Sequence, residues 1–287
     1  MMPGMDAPGP MAAATDERGG LLAFALELAR LAEAEILPRF RRVSFDLKPD
    51  GSEVTEADRE AERAMRTAIA ARFPDHAVLG EELGASGASD ARHRWVLDPV
   101  DGTVWFTLGV PTFGTLIGLL EDGEPVAGVI HFPGLGETVY ASRGQGCWLR
   151  RGGAEPQRLR VRQPAPLRAA FVSACGAHGS DILPEGGSAY NLTALIRSAR
   201  KLRFVGDCLQ HALVCQGRLD AALDTVMHPW DVAALVPCVE EAGGVATDLA
   251  GRRQGVVFAG SLLTSCDAAL QREILAALGS PPAAGSA

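Results

Sequence analysis

Apolar residues recur at helical spacing from Leu21 through Phe24, Ala25, Leu28, Leu31 and Ala32 to Ile36. That stripe predicts a first helix over Leu21–Phe40, which Pro38 ends or kinks. The stretch from Asp46 to Ser52 is polar and turn-forming and reads as a mobile loop. Helical spacing returns through Ala61, Ala64, Met65, Ala68 and Ile69 to about Phe73, with Thr55 at the N-cap and Asp58 at the third helical position, as in a capping box. Short apolar runs predict strands at Ala77–Leu79 and Trp95–Leu97, joined by a flexible Gly/Ala/Ser loop over Gly84–Asp90. Pro99 and the Asp101-Gly102 turn should end the second of these strands. Alternation gives further strands at Thr112–Leu120, Pro125–His131 and Thr138–Ser142. The Gly- and Pro-rich segments Arg150–Pro156 and Gln163–Pro166 mark a domain boundary.

Beyond that boundary the pattern alternates between the two periods. Leu167–Ser173, Leu202–Val205, Leu219–Leu223, Val245–Thr247 and Val256–Ala259 read as strands. Tyr190–Ser198, Cys208–Gln216, Trp230–Gly243 and Cys266–Leu278 read as helices, with Pro237 inside the third and Ser265 capping the fourth. Such alternation predicts an α/β layer structure. Residues 1–18 and 280–287, rich in Pro, Gly and Ala, are expected to be disordered. The ordered chain then divides into an N-terminal α+β domain over 19–160 and a C-terminal α/β domain over 161–279.

Composition narrows the function. With 287 residues, 47% apolar and 22% charged, the chain has the make-up of a soluble globular protein with a large core. A net charge of −8 argues against nucleic acid as main partner but not against a small phosphorylated substrate, because bound metal supplies local positive charge. No stretch approaches the roughly 18 apolar residues of a membrane span. The six cysteines show no C-x-x-C pair or zinc spacing and read as reduced thiols, so a cytoplasmic protein is expected.

The candidate chemistry centres on Asp98-Pro99-Val100-Asp101-Gly102-Thr103. Two carboxylates three residues apart at a strand end can be aimed at one point, and an oxygen-only ligand set suits Mg²⁺ before Zn²⁺. Gly102 lets the backbone approach a ligand, and a short helix starting near Thr103 would offer free N–H groups to a phosphate. A surface Asp-Pro and Asp-Gly turn would have the same sequence. Glu81, in a Glu81-Glu82 pair after a strand, is a further hard ligand, and Asp231 in the first turn of its helix is a third aspartate from the other half. Asp231 and Asp58 also serve simply as stabilising acids near helix N-termini. One Glu and three Asp suffice for two Mg²⁺ ions, and two ions side by side form a phosphoryl-transfer clamp that activates water and stabilises the leaving oxygen. No C-x₅-R loop suggests a covalent route.

In order and spacing, five segments resemble the inositol monophosphatase superfamily. They are Lys48…Asp50-Gly51-Ser52, Val54-Thr55…Ala57-Asp58, Gly80-Glu81-Glu82, the Asp98–Thr103 motif and Trp230-Asp231-Val232-Ala233-Ala234. The resemblance runs from about residue 20 to residue 278 and implies a layered αβαβα sandwich, Mg²⁺-dependent phosphomonoester hydrolysis with two or three ions per subunit, lithium sensitivity and a homodimer. By position it implies Glu81, Asp98, Asp101, Asp231 and the Val100 carbonyl as metal ligands, with Gly102 and Thr103 as the phosphate cradle. Thr103 and Asp58 are similar to the pair that positions the attacking water beside Glu81, and Lys48 would lie in the mobile loop.

Within the superfamily, Gly109-Val110-Pro111, Gly144-Gln145-Gly146-Cys147, Gly206-Asp207-Cys208 with His211, and Met227-His228-Pro229-Trp230-Asp231 resemble the histidinol-phosphate phosphatase branch. Asp207, Asp224 and His211 are the expected substrate contacts, since acids near the leaving group suit the cationic amine and imidazole of histidinol. A helix N-terminal acid and a core histidine account for Asp207 and His211 equally well, and a polyol such as inositol would also bond to such acids. The chain departs from the family at Val104-Trp105, where a basic or polar residue and a small polar one are usual. The departure bears on substrate choice and leaves the metal ligands intact.

Overall fold

The structure, a computed structural model, describes residues 10–42, 44–48, 53–175 and 190–279. Asp50, Gly51 and Ser52 of the expected mobile loop lie outside the described residues, as do residues 1–9 and 280–287.

The first helix, α1, spans Pro10–Ile36, and so begins within the segment expected to be disordered. Proline is pre-set for a first turn, and Ala12–Ala14 are strong helix formers. It stops two residues before Pro38, whose ring disfavours helix in the residue ahead of it. The short hairpin β1 (Phe45–Leu47) and β2 (Glu53–Thr55) leads into α2 (Glu56–Arg72), which opens on the expected capping box of Thr55 and Asp58. Next come β3 (Ala77–Gly80) and β4 (Gly84–Ser86), an exposed edge strand where a loop was expected.

Strand β5 spans His93–Asp101 and does not end at Pro99. Its register to the next strand shifts between Asp98 and Asp101, and Thr115 Oγ1 donates to the Pro99 carbonyl at 2.8 Å. A bulge thus accommodates the missing N–H, as strand prolines require. The five-residue helix α3 (Thr103–Thr107) follows, then β6 (Gly114–Glu121), β7 (Glu124–Phe132), β8 (Glu137–Ser142), β9 (Gly146–Arg151) and β10 (Gln157–Arg158). The last two flank the first segment expected as a boundary, Arg150–Pro156, whose Gly and Pro residues form the turn between them.

In the second half come β11 (Phe171–Ala174), α4 (Leu192–Ser198), β12 (Lys201–Phe204), α5 (Asp207–Cys215) and β13 (Ala221–Asp224). The helix expected over Trp230–Gly243 is two, α6 (Pro229–Val232) and α7 (Leu235–Glu241). Pro237, in the first turn of α7, has no N–H to donate to the Ala233 carbonyl one turn back, so the helix breaks ahead of it and restarts at Leu235. After β14 (Val245–Thr247), the expected strand at Val256–Ala259 is a 3₁₀ turn over Val256–Phe258 between left-handed Gly255 and Gly260. The strand is instead β15 (Leu262–Ser265), and α8 (Ala268–Leu278) is capped by Asp267 rather than Ser265. Short apolar runs do not distinguish these choices by period.

Eight strands form one sheet in the order β10-β9-β8-β7-β6-β5-β3-β4, antiparallel except for β3 with β5; five form a second, β12-β11-β13-β15-β14. Helices α1 and α2 cover one face of the large sheet, and α5, α6 and α7 fill the space between the sheets. Helices α4 and α8 lie outside the small sheet. The layers are therefore αβαβα. One buried apolar cluster runs from Val96 on β5 to Leu262 on β15 and joins the two halves. Among the described residues no helix is long and apolar enough to cross a membrane.

The middle layer sits close because two facing residues of the large sheet have no side chain. Gly118 on β6 pairs with Gly128 on β7. A Cβ at Gly128 would lie 2.1 Å from the Ala234 carbonyl oxygen, and one at Gly118 would lie 2.5 Å from Ala233 Cβ. The corner between α6 and α7 thus rests on bare backbone, which brings Asp231 towards the end of β5. Gly128→Ala should cost about 1–3 kcal/mol, as overpacking does. Calorimetric unfolding checks this, and an unchanged melting temperature would show that the corner can move away freely.

Candidate active site

Strand β5 carries Asp98 and Asp101 at its own carboxyl end, and the first turn of α6 brings Asp231 to the same place. Single oxygens of these carboxylates lie within 4.8 Å of one another. The loop after β3 adds Glu81, whose backbone N–H donates to the Leu97 carbonyl at 3.2 Å and so continues the β3–β5 ladder. Lys48, Val100, Gly102, Thr103, His228 and Trp230 complete the lining of a cavity of about 420 Å³.

The cluster is electrostatically unfinished. Asp98 is 2% exposed, and its Oδ1 has no hydrogen-bond partner. Burial, then the charge of Glu81, pushes its carboxyl well above the usual range. Burial and the nearby Asp207 do the same to Asp101, although Asp101 Oδ2 accepts the Cys208 N–H at 2.7 Å. Asp231 is raised to about 7 by burial, against the hydrogen bond that its Oδ2 accepts from the His228 N–H at 2.6 Å. Like charges in a poorly solvated site resist joint ionisation unless a cation neutralises them. An orphaned buried oxygen among converging carboxylates fits a divalent metal, and Asp98, Asp101 and Asp231 form one such candidate site.

Lys48 is held rather than free, its Nζ lying 2.7 Å from Glu81 Oε1 and 2.7 Å from Glu82 Oε1. Thr103 Oγ1 donates to the Val100 carbonyl at 3.0 Å, while Gly102, the N-cap of α3, adopts a left-handed conformation at φ 78°. Asp58 is buried and does not line the cavity. Its Oδ2 accepts the Thr55 N–H at 2.9 Å and the Thr55 hydroxyl, its Oδ1 has no partner, and burial raises it to about 7.

The three expected substrate contacts are arranged differently from the metal cluster. Asp207 has a left-handed backbone at φ 49°, and its Oδ2 accepts the indole N–H of Trp105. It sits so near the metal loop that a Cβ on Gly102 would be 3.1 Å from that oxygen. Asp224 and His211 are buried behind it: Asp224 Oδ2 lies 2.6 Å from His211 Nε2 and accepts the Gln210 amide at 2.6 Å. His211 is 0% exposed and its Nδ1 is 2.8 Å from Thr264 Oγ1, so both ring nitrogens are engaged within the protein. Its ring braces Asp224 instead of facing the cleft.

The sequence did not mark His228 and Trp230 as lining groups, nor Trp105 as the partner of Asp207. The rings of His228 and Trp230 stack with centroids 4.9 Å apart. Their position beside Asp231 was the available signal, and Trp105 had drawn notice only as a departure from the family.

A layered fold that converges buried carboxylates on one divalent-metal site at a strand end defines a metal-dependent phosphomonoesterase. The inositol monophosphatase family profile matches residues 19–280, and the chain belongs to that family. A histidinol-phosphatase from Chlorobaculum parvum is 38% identical over 260 residues, covering 90% of this chain and 96% of that protein. One from Mycobacterium tuberculosis is 39% identical over 230 residues, covering 79% and 87% respectively. An inositol monophosphatase from Zymomonas mobilis superposes with a TM-score of 0.77 at 32% identity, covering 90% of this chain and 97% of its own. The chain is accordingly a phosphatase with a metal-binding active site.

Asp58 and Asp231 stand at about 7 in the fold against an ordinary value of 3.8. Between those values the folded metal-free chain holds protons that the unfolded chain has released, so these acids cost stability as pH rises from about 4 to about 7. In chelator, the melting temperature of the protein relative to that of Asp231→Asn should fall across that window. Added divalent cation should restore it most at the upper end. A melting temperature that rises across the window relative to that variant would reverse the sign.

Proposed function

We propose that the chain hydrolyses L-histidinol phosphate to L-histidinol and inorganic phosphate with Mg²⁺, two or three ions per subunit of a homodimer. Glu81, Asp98, Asp101, Asp231 and the Val100 carbonyl would hold the metal. All are oxygen donors, which suits a small hard cation. When bound, Mg²⁺ supplies positive charge for the phosphoryl oxygens and makes water acidic enough to serve as a nucleophile near neutral pH.

The chain's own residues then position the reactants. Gly102 and Thr103 receive the phosphate, the glycine leaving space for close approach. The Thr103 hydroxyl donates to the Val100 carbonyl and keeps lone pairs for the attacking water. Asp58, with one oxygen held by Thr55 and the other without a partner, supplies a second acceptor, and Glu81 orients the same water from the β3 side. Direct attack of water on phosphorus needs no nucleophilic side chain, and catalysis reduces to positioning and charge stabilisation.

The observation that carries the substrate reading is Asp207, held beside Gly102 on the second half's side of the cleft by Trp105. A carboxylate there complements the amine and imidazole of histidinol, both of which can be cationic. Asp224, braced by His211 and Gln210, adds a second acid behind it. Likeness to histidinol-phosphatases over most of the chain supports the same reading.

Inositol monophosphate is the second reading, supported by the likeness to the Zymomonas mobilis enzyme and by the ability of a polyol to donate to Asp207. Phosphate release from a panel of histidinol, inositol, sugar and nucleotide phosphates, with and without Mg²⁺, separates the two. Histidinol phosphate should give the highest kcat/KM, and Asp207→Asn should lower that value by about 10-fold or more, as loss of a charged partner does. Preference for inositol phosphates, or an Asp207→Asn effect equal on all substrates, would overturn the assignment.

A further inference from the structure

We propose that Glu62 is a positioning residue that sets the direction of Glu81 from below the metal site, with Arg66 as its anchor. Glu62 lies on α2, far from the carboxylate cluster in sequence, and its side chain is 0% exposed. Its carboxylate nevertheless reaches the turn that carries Glu81. Oε2 accepts the Glu82 N–H at 2.8 Å, and Oε1 accepts the Leu83 N–H at 3.2 Å. Arg66, one helical turn on, donates from Nε to Oε1 at 2.7 Å. The same guanidinium continues to Ser86 Oγ at 2.9 Å and to the Gly84 carbonyl, both on edge strand β4.

The chain is shaped around this carboxylate. A Cβ on Gly80 would fall 2.2 Å from Glu62 Oε1, so the residue before Glu81 can carry no side chain while Glu62 is in place. Glu81 is therefore fixed from two directions: its own N–H bonds to Leu97 on β5, and the two N–H groups that follow bond to Glu62. Only a carboxylate serves three donors from two oxygens in this way; an amide has one acceptor oxygen and would turn an N–H towards a donor. Arg66 neutralises the added charge, so Glu62 acts through geometry and not by further crowding the acidic cluster.

The inference rests on the proposed metal site that includes Glu81, and Asp98→Asn tests that site separately. Wild type, Glu62→Gln and Asp98→Asn would be compared by Mg²⁺ calorimetry, steady-state phosphate release, amide exchange at Glu82 and Leu83, and thermal unfolding. Glu62→Gln should weaken Mg²⁺ binding and lower kcat by about 10–100-fold, as loss of a residue supporting a metal ligand does. KM should change little, and the Glu82 and Leu83 amides should exchange faster. A role in folding alone would lower the melting temperature and leave the Mg²⁺ affinity of the folded protein unchanged, which overturns the proposal. Should Glu62→Gln fail to fold, Arg66→Gln, at a partly exposed position, must shift Mg²⁺ affinity in the same direction or the proposal falls. If Asp98→Asn loses Mg²⁺ binding and turnover while Glu62→Gln loses neither, this inference alone is wrong. If Asp98→Asn retains both, the site reading fails and takes this inference with it.

Discussion

Mutual repulsion among Asp98, Asp101 and Asp231 is the constraint around which the structure is built. Three carboxylates with oxygens within 4.8 Å, largely withdrawn from water, are costly to gather and costly to ionise together. Apolar packing has to hold them in place before any cation arrives. Each is therefore mounted on a different restraint. Asp98 lies on the central strand β5, Asp101 on the far side of a bulge and tied to the Cys208 N–H, and Asp231 on a helix turn seated against two glycines. A metal is then the only partner able to neutralise all three at once.

This division of labour explains why the two halves share a core. Asp231 reaches β5 only because the α6–α7 corner sits directly on the backbone of Gly118 and Gly128, and the cluster from Val96 to Leu262 holds that corner down. A flexible hinge between the halves would let repulsion separate the carboxylates. The opposite arrangement holds on the substrate side, where Asp207 is fixed by one indole N–H and a left-handed backbone. The metal half is rigid by packing, and the substrate half is set by a few polar contacts.

Much of the site was legible in the sequence because it depends on residues that are local signals in their own right. Asp98–Thr103 combines proline, glycine and acids in six positions, and Thr55 with Asp58 announces a helix start that also buries a carboxylate. Legibility failed where one local signal had two structural outcomes. Pro99 was read as a strand end, and the strand absorbed it as a bulge. Pro237 was read as lying inside one long helix, and it sits in the first turn of the second of two, with the break at Ala233 and Ala234. His211 resembled a substrate contact by position, but a ring with both nitrogens bonded inside the core carries no sequence mark that distinguishes it. Edge strands β4 and β10, only three and two residues long, and β9 beside β10 lacked the alternation that would have revealed them.

Glu62 is the clearest case of what a linear reading cannot reach. At sequence level it is one glutamate among several on the outward-looking pattern of α2, four residues ahead of an arginine, where a solvated ion pair is the ordinary expectation. Its meaning comes from Gly80, which leaves a hollow at the end of β3 of a size that the carboxylate fills. Neither residue signals the other along the chain; the contact exists only once α2 has packed against the large sheet. The same dependence applies to Gly118 and Ala233, and to Gly102 and Asp207. In each pair a glycine leaves room for a group that arrives from another layer. The absence of side chains at these points therefore governs how closely the layers, and the acids mounted on them, can meet.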